Sequence, residues 1–190
     1  KHKPGEKFTY SNSGYVTLSA IVEKVSNTSF ADFVQSNIFA QAGMTLSGFF
    51  KSDALPPNTA FGYLRHLDSL RTNIFNLPIV GSGDGGAYTT ALDVSNFWTS
   101  LLSGKIIPLD LLAQLHKMEN SPSYEDFAYG RGFWLTKETQ YPTLDGYDAG
   151  VSFRTSTTPD QSFSYTLLGN TSESVTPLAK ILHSYLSKTR

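Results

Sequence analysis

The chain has no cysteine among its 190 residues. This absence excludes disulfide scaffolds, thiol catalysis and cysteine-ligated zinc, and it leaves the redox compartment open. Long apolar runs are also missing, since none approaches the roughly 18 to 20 residues that a membrane-spanning helix requires. Neither sign of charge dominates, because 15 Lys and Arg face 16 Asp and Glu, for a net charge of −1. Nucleic acid and anionic membrane surfaces are therefore not expected as partners.

Apolar and aromatic residues are plentiful, at 39% and 13% of the chain. This content is sufficient for a buried core, and the length predicts one domain or a large part of one. Four helices are predicted over about 13–26, 29–43, 90–104 and 108–118. Apolar spacing indicates the first, a capping box of Ser29 and Asp32 opens the second, and Thr90 with Asp93 caps the third.

Beyond Asn120 the sequence consists of short aromatic and β-branched segments separated by turn residues. Three strands are predicted, in YGRGFWLTKE, DAGVSFRTST and QSFSYTLLGN, and they favour an antiparallel meander. A last helix is predicted from about 177 to 186. Helices, then a sheet, then a covering helix indicate the α+β class. The apolar face predicted to cover the sheet consists of Leu178, Ile181, Leu182 and Tyr185.

Two weaker motifs do not predict a cofactor or metal site. The glycine-rich GSGDGG at residues 81–86 matches G-x-G-x-x-G, but the helix signal starts only at Thr90 and the expected acidic position, 105, holds Lys105. A tight loop with positive φ is favoured over a dinucleotide site. The four histidines share no metal-ligand spacing, and His116 with Glu119 is typical of a solvated helix face.

The tripeptide Tyr10-Ser11-Asn12 precedes the first helix and allows two interpretations. It is either a strand end at which Asn12 or Ser13 caps the helix, or part of a catalytic site with Ser11 filling the turn. Spacing alone favours the structural interpretation. A G-x-S-x-G nucleophile elbow does not occur in the chain.

The surrounding sequence resembles a known family. PGEKFTYSNSGYVTLSAIVEKVSNTSFADFVQSNIFAQAGM is similar to the second-motif region of serine β-lactamase-like hydrolases of the class C type, which include D-alanyl-D-alanine carboxypeptidases and esterases. The similarity continues through GDGGAYTTALDVSNFW, YGRGFWL and DGYDAGVSFRT, and so covers essentially the whole chain. It implies a β-lactamase/penicillin-binding-protein-like fold.

The resemblance assigns roles to two residues of the tripeptide. In this family an upstream Ser attacks an acyl carbon. The Lys of its S-x-x-K motif and the Tyr of the second motif together transfer the proton of the Ser hydroxyl. Tyr10 is therefore expected to be the general base and later the acid. Asn12 is expected to position the Lys and the substrate carbonyl through amide hydrogen bonds.

A third family motif, Lys-x-Gly or His-x-Gly on the edge strand of the sheet, is matched here with one residue that differs. The pattern H-x-G-x-D-P-G aligns with LDGYDAG, which puts Leu144 where the family has a cation, followed by Asp145. Gly146 then allows close approach of a ligand, and the backbone N–H of Tyr147 is expected to be one oxyanion donor. These four residues are the candidate substrate-binding positions. Because Leu144 carries no charge, a substrate carboxylate loses its expected partner.

The S-x-x-K motif itself is absent, because no Ser stands three residues before any Lys. We therefore expect residues 1–190 to be the C-terminal portion of one domain, mainly helical over 1–120 and built of strands plus a helix over 121–190. The missing N-terminal portion is then an expected partner, and an exposed sheet edge would permit self-association.

The resemblance implies a serine hydrolase that acts on a small-molecule or peptidoglycan-like amide or ester through an acyl-enzyme, without cofactor or metal. It also implies an extracytoplasmic location, with any export signal outside this chain. The alternative is a non-catalytic relative that binds peptidoglycan-like or peptide ligands in the same groove, which Leu144 favours. An intact upstream S-x-x-K would distinguish the enzyme from the binding protein.

Overall fold

The structure is a computed structural model that describes residues 2–3, 5–117 and 127–186. It has the α+β organisation that the sequence predicts. A π-helical turn, Gln35–Phe39, joins the second and third helices. The helices are α1 (Asn12–Ser26), α2 (Phe30–Val34), α3 (Ala40–Ala42), α4 (Ala91–Leu102), α5 (Leu109–Leu115) and α6 (Val175–Leu186). The strands are β1 (Tyr63–His66), β2 (Ser69–Thr72), β3 (Phe127–Tyr129), β4 (Trp134–Thr136), β5 (Pro142–Asp148), β6 (Val151–Thr157) and β7 (Ser164–Gly169).

The first helix begins one residue earlier than predicted, and Ser11 is its N-cap. Ser11 is extended, at φ −155° and ψ 107°, and its hydroxyl oxygen accepts a hydrogen bond of 3.1 Å from the backbone N–H of Gly14. The expectations that Asn12 or Ser13 caps the helix, and that Ser11 only fills the turn, are wrong. Asn12 is already helical, so the last extended residue before it is the one able to cap.

The predicted caps of the next helices are confirmed. Ser29 accepts from the N–H of Asp32 at 3.1 Å, and Thr90 accepts from the N–H of Asp93 at the same distance. Gly43 ends the second helical segment in the left-handed region, at φ 72°. The fourth helix, predicted to about residue 118, ends at Leu115 among the described residues.

The main sheet has five antiparallel strands in the order β3-β4-β5-β6-β7, where the sequence predicts three. YGRGFWLTKE is not one strand but a hairpin, because the chain turns through Gly132 at φ 96°. The third-motif strand, β5, lies inside the sheet order and not at its edge. However, β4 pairs with β5 only at Pro142 and Thr143, whereas β6 pairs with β5 from Thr143 to Asp148.

A second sheet, the hairpin of β1 and β2, lies in a region for which the sequence predicts no strand. Its turn places Leu67 at φ 51°, a left-handed conformation that bulky residues rarely adopt. The turn has no Asn-Gly or Asp-Gly pair, so the usual hairpin signal is absent.

The main core lies between α4, α5 and one face of the sheet. Trp98, 2% exposed, packs there with Leu135 and Phe133, and its indole N–H donates to the Thr155 hydroxyl at 2.8 Å. Side chains alternate along a strand, so Arg154 lies on the opposite face.

The predicted covering face of α6 is wrong for three of its four residues, whereas Leu182 is partly buried. Leu178, Ile181 and Tyr185 are 46%, 65% and 63% exposed, whereas Val175 and Ala179 are buried at 5% and 0%. The small Ala179 lets the helix approach the sheet closely, so this row and not the larger apolar residues faces β6 and β7. Five apolar residues at helical spacing predict α1. Three of them, Leu18, Ile21 and Val25, are likewise exposed, at 53%, 52% and 82%, and the other two, Tyr15 and Val22, are partly buried.

Within the part of the chain that the structure describes, no helix has the length and apolar character needed to cross a membrane.

Candidate active site

A groove of about 360 Å³ opens between the start of α1, the glycine-rich loop 81–86 and strands β4 and β5. It brings together four of the six predicted site residues: Tyr10 and Asn12 from the start of α1, and Leu144 and Asp145 from β5. The other two, Gly146 and Tyr147, lie farther along β5 and do not line the groove.

The helix cap at Ser11 explains how Tyr10 and Asn12 both reach the groove. Ser11 binds the N–H of Gly14, which fixes the point where the extended chain becomes helix. Tyr10 and Asn12, on either side of it, both contact the groove. Tyr10 is 63% exposed, so its phenol is accessible to a ligand.

Beyond Thr143, the β4 side of β5 has no strand partner among the described residues. Every second residue of a strand directs its backbone N–H and C=O to the same edge, so part of the backbone of residues 144–148 faces this open side. A Cβ added to Gly146 would meet nothing within 4 Å, and Tyr147 is 82% exposed. Space for a ligand therefore lies directly beside the third motif.

Leu144 is in a largely apolar setting. It is partly buried, packs against the core cluster of Trp98 and Leu135, and contacts the groove with its exposed part. An ammonium or imidazolium group at this position would lie against apolar side chains, which disfavour the charged form.

Asp145 forms a bidentate ion pair with Arg154, its direct partner across β5 and β6. The Arg154 Nε and a terminal nitrogen lie 2.7 and 2.8 Å from the two carboxylate oxygens. The guanidinium also lies 5.4 Å from the ring centre of Phe127. The charge of Arg154 is thus already matched by a carboxylate.

An aromatic wall that the sequence did not reveal borders the groove. The hydroxyl groups of Tyr15 and Tyr129 are hydrogen-bonded to each other. Tyr129 packs edge-on against Trp134, with ring centres 4.7 Å apart. Burial, followed by the hydrogen bond to Tyr15, raises the pKa of Tyr129 well above its usual value, so this phenol stays protonated. One signal was available, because Tyr15 stands about one helical turn after Asn12.

The glycine-rich loop is a tight turn, as predicted. The backbone N–H groups of Ser82 and Gly85 each donate to the other's carbonyl, at 2.9 and 3.2 Å, and Gly86 has φ 90°. The following helix begins only at Ala91, so its N-terminus is not available to a phosphate held by the glycines. No cluster of three His, Cys, Asp or Glu side chains suited to a metal occurs among the described residues, and Glu119, predicted beside His116, lies outside them.

Comparisons with known proteins agree with this fold and show the family. The sequence model of the Beta-lactamase family matches residues 1–186. Penicillin-binding protein 4* of Bacillus subtilis is 39% identical over 160 residues, covering 78% of this chain and 36% of that protein. The chain spans 36–38% of the length of the first curated relatives.

Solved structures extend the comparison to the backbone. The penicillin-binding protein of Bacillus halodurans superposes with a TM-score of 0.92 at 32% identity, over 97% of this chain and 58% of that one. The octameric penicillin-binding protein homologue of Pyrococcus abyssi has a TM-score of 0.83 at 25% identity, over 90% and 40%.

Proposed function

Since the chain belongs to the β-lactamase family of serine hydrolases, we propose that the complete protein cleaves an amide or ester substrate through an acyl-enzyme. The observation that carries this proposal is the convergence of Tyr10 and Asn12 with the third-motif strand in one groove. The substrate class that fits is a small molecule or a peptidoglycan-like peptide.

The nucleophile is proposed to come from a Ser-x-x-Lys segment outside these residues, because no Ser stands three residues before any Lys of this chain. The chain spans only 36–38% of the curated relatives' length, which supports residues 1–190 being one portion of a longer protein. The proposed upstream position of the Ser-x-x-Lys segment makes it the C-terminal portion of the catalytic domain. The N-terminal portion is proposed to cover the exposed face of α1 and to pair with β7, which pairs only with β6 among the described strands. Without that portion, an unpaired strand edge would favour self-association.

In the proposed reaction the serine hydroxyl attacks the acyl carbon and Tyr10, as phenolate, takes its proton. An unperturbed phenol has a pKa near 10, so Tyr10 needs a neighbouring cation, the motif Lys, to act near neutral pH. The C–N or C–O bond then breaks, and Tyr10 returns the proton to the leaving group. Water attacks the acyl-enzyme in the second half, with Tyr10 again as base, and the serine is regenerated.

Asn12 and β5 are proposed to hold the substrate during these steps. The Asn12 amide orients the Lys and the substrate carbonyl, and the N–H of Tyr147 stabilises the oxyanion. The open β4 side of β5 is suited to an extended peptide, which adds its backbone beside a strand by main-chain hydrogen bonds.

A non-catalytic protein that binds peptide or peptidoglycan-like ligands is the second candidate function. Leu144 favours it, because the family's cation is missing from the substrate-binding strand. An extracytoplasmic location is proposed for either function, on the likeness to penicillin-binding proteins.

The test is Tyr10→Phe in the complete protein, with turnover of a p-nitrophenyl ester and thermal melting measured together. Loss of the proton-transfer group is expected to slow acylation by about 10² to 10⁴-fold while melting is unchanged. Tyr185→Phe is the matched control, because Tyr185 has the same 63% exposure and lies on α6. Unchanged turnover in Tyr10→Phe would contradict the catalytic role, and wild-type protein that binds but never turns over would favour the second candidate.

A further inference from the structure

The turn that follows the third-motif strand, residues 148–150, is held by side chains from two distant parts of the chain. The Asn73 side-chain amide donates to the carbonyl of Ala149 at 2.9 Å. The Ser172 hydroxyl donates to the carbonyl of Asp148 and accepts from the N–H of Gly150, both at 2.9 Å. Three backbone groups of this short turn are therefore bound.

Asn73 is itself firmly held. It directly follows β2, is 3% exposed, and donates its backbone N–H to the Gly62 carbonyl at 3.0 Å. The hairpin is in turn joined to the sheet, because the N–H of Tyr63 donates to the Asn170 carbonyl at 2.9 Å. Asn73 thus joins the end of the β1–β2 hairpin directly to the turn after β5, which lies 76 positions farther along the chain.

The packing around this contact leaves no free space. A Cβ on Gly150 would lie 2.8 Å from the Asn73 Cβ and 2.9 Å from the Tyr63 nitrogen. A Cβ on Gly62 would lie 2.5 Å from the Gly150 carbonyl oxygen. Gly150 also has φ 73°, a conformation that favours glycine. Because neither Gly62 nor Gly150 has a side chain, the backbones of the hairpin and the turn lie close together, and the hydrogen bond of Asn73 holds them there.

The hydrogen bonds at the turn matter for the position of β5, because the later part of this strand pairs with a neighbour on one side only. From Leu144 to Asp148 its sole strand partner among the described residues is β6. Gly146 and Tyr147 have open space on the other side, so no packing there fixes their position. Leu144 packs on the core and Asp145 pairs with Arg154, but beyond Asp145 the turn at the end of β5 is the next point at which side chains of other elements hold the strand.

We propose that Asn73, together with Ser172, is a positioning residue that holds the end of β5 where the backbone N–H of Tyr147 meets the oxyanion. The inference rests on the proposed function. Asn73 acts through the turn and does not touch the substrate. A displacement of about 1 Å in a catalytic donor costs up to about 10²-fold in rate, so loss of this contact affects the transition state more than substrate binding.

The test compares Asn73→Asp and Ser172→Ala in the complete protein. Asn73→Asp keeps the shape but removes the N–H that donates to Ala149, and Ser172→Ala removes both hydrogen bonds of that hydroxyl. Asn76→Asp is the matched control, because Asn76 is exposed in the same loop and its side-chain oxygen accepts from Arg71 at 2.9 Å, which an aspartate also does.

For both variants, kcat with a p-nitrophenyl ester is expected to fall about tenfold or more while KM changes by less than about threefold. Affinity for phenylboronic acid, which forms a tetrahedral adduct with a serine, is expected to fall in parallel with kcat. A purely structural contact would lower the melting temperature and leave kcat, KM and boronate affinity of the folded protein unchanged, and that result would overturn the inference. Wild-type protein with neither turnover nor boronate adduct would overturn the proposed function itself, and the inference with it.

Discussion

At the scale of single residues, Leu144 sets an expectation for substrate choice. No cation stands at this position of the groove, and Arg154, on the neighbouring strand β6, is paired with Asp145. A substrate carboxylate would lose water without gaining a charged partner. The complete protein is expected to hydrolyse a neutral p-nitrophenyl ester faster than a carboxylate-bearing β-lactam, as measured by kcat/KM for each. Faster β-lactam hydrolysis would mean that Leu144 is not the third-motif position or that another cation, Lys137 or Arg154, serves.

His116 does not lie on a solvated helix face as predicted but packs against the core, and it provides a pH dependence of stability. Its ring stands edge-on against Phe133, with ring centres 5.0 Å apart, and its Nε2 is buried without a hydrogen-bond partner among the described residues. Burial lowers the pKa of His116 below its usual value. The imidazole of His116 therefore binds a proton near pH 6.5 in the unfolded chain but only at lower pH in the folded chain. The free energy of unfolding is expected to fall as the pH drops below about 6.5 toward the folded-state pKa.

Urea unfolding of wild type and His116→Leu at pH 7.5 and 5.5 checks this expectation. The loss of unfolding free energy on acidification is expected to be smaller in the variant. An equal loss in both proteins would show that His116 is not responsible.

At the scale of elements, the contact between the glycine-rich loop and α1 forms one wall of the groove. A Cβ on Gly83 would lie 2.6 Å from both the Tyr15 carbonyl oxygen and the Ser19 Cβ. The backbone of α1 cannot move far enough to relieve these overlaps without strain. Gly83→Ala is therefore expected to lower the unfolding free energy by about 1–3 kcal/mol. Gly14→Ala is the control, because its Cβ would meet nothing closer than 3.6 Å. Equal unfolding free energies for Gly83→Ala and wild type in urea would show that the loop moves aside freely.

The elements also show which features a sequence can predict. The caps at Ser29 and Thr90 depend on neighbours within three residues, so their pattern was readable in advance. The β1–β2 hairpin was not, because Leu67 gives no turn signal and the hairpin is fixed by contacts such as that between Asn73 and Ala149.

The same limit applies to the site. Tyr10 and Asn12 were identified by a family resemblance that extends along the chain, since their local spacing alone favoured a helix cap, and the structure puts them in one groove with Leu144 and Asp145. The spacing from Asn12 places Tyr15 on the same side of α1, but no local pattern indicates its pairing with Tyr129, which lies 114 residues farther along the chain. On α6, the large apolar residues suggested the wrong face because the sheet accepts only the small side chain of Ala179 at closest approach.

At the scale of the whole molecule, residues 1–190 alone are expected to form no acyl-enzyme. Ser82 lines the groove, and Ser11 lies between Tyr10 and Asn12, which also line it. Both hydroxyls are engaged locally, Ser11 with the N–H of Gly14 and Ser82 with the Asp84 carboxylate at 2.5 Å. Neither has a Lys at the third position after it. Without the nucleophile only binding and oxyanion contributions remain.

Incubation of the pure chain with a fluorescent penicillin or an activated phosphonate, followed by intact-mass measurement, is expected to give no adduct. The complete protein treated in parallel is the positive control. A stoichiometric adduct on any serine of the chain, Ser11 or Ser82 included, would contradict both this prediction and the proposed origin of the nucleophile.

The chain has two tryptophans, and they lie in different surroundings. Their intrinsic fluorescence therefore reports on two different parts of the molecule. Trp98 is 2% exposed and hydrogen-bonded to Thr155, so its emission reports whether α4 remains against the sheet. Trp134 lines the groove beside Tyr129, so its emission responds to whatever occupies that space. With Trp98→Phe, the remaining indole becomes an optical probe of ligand binding that requires no label and no turnover.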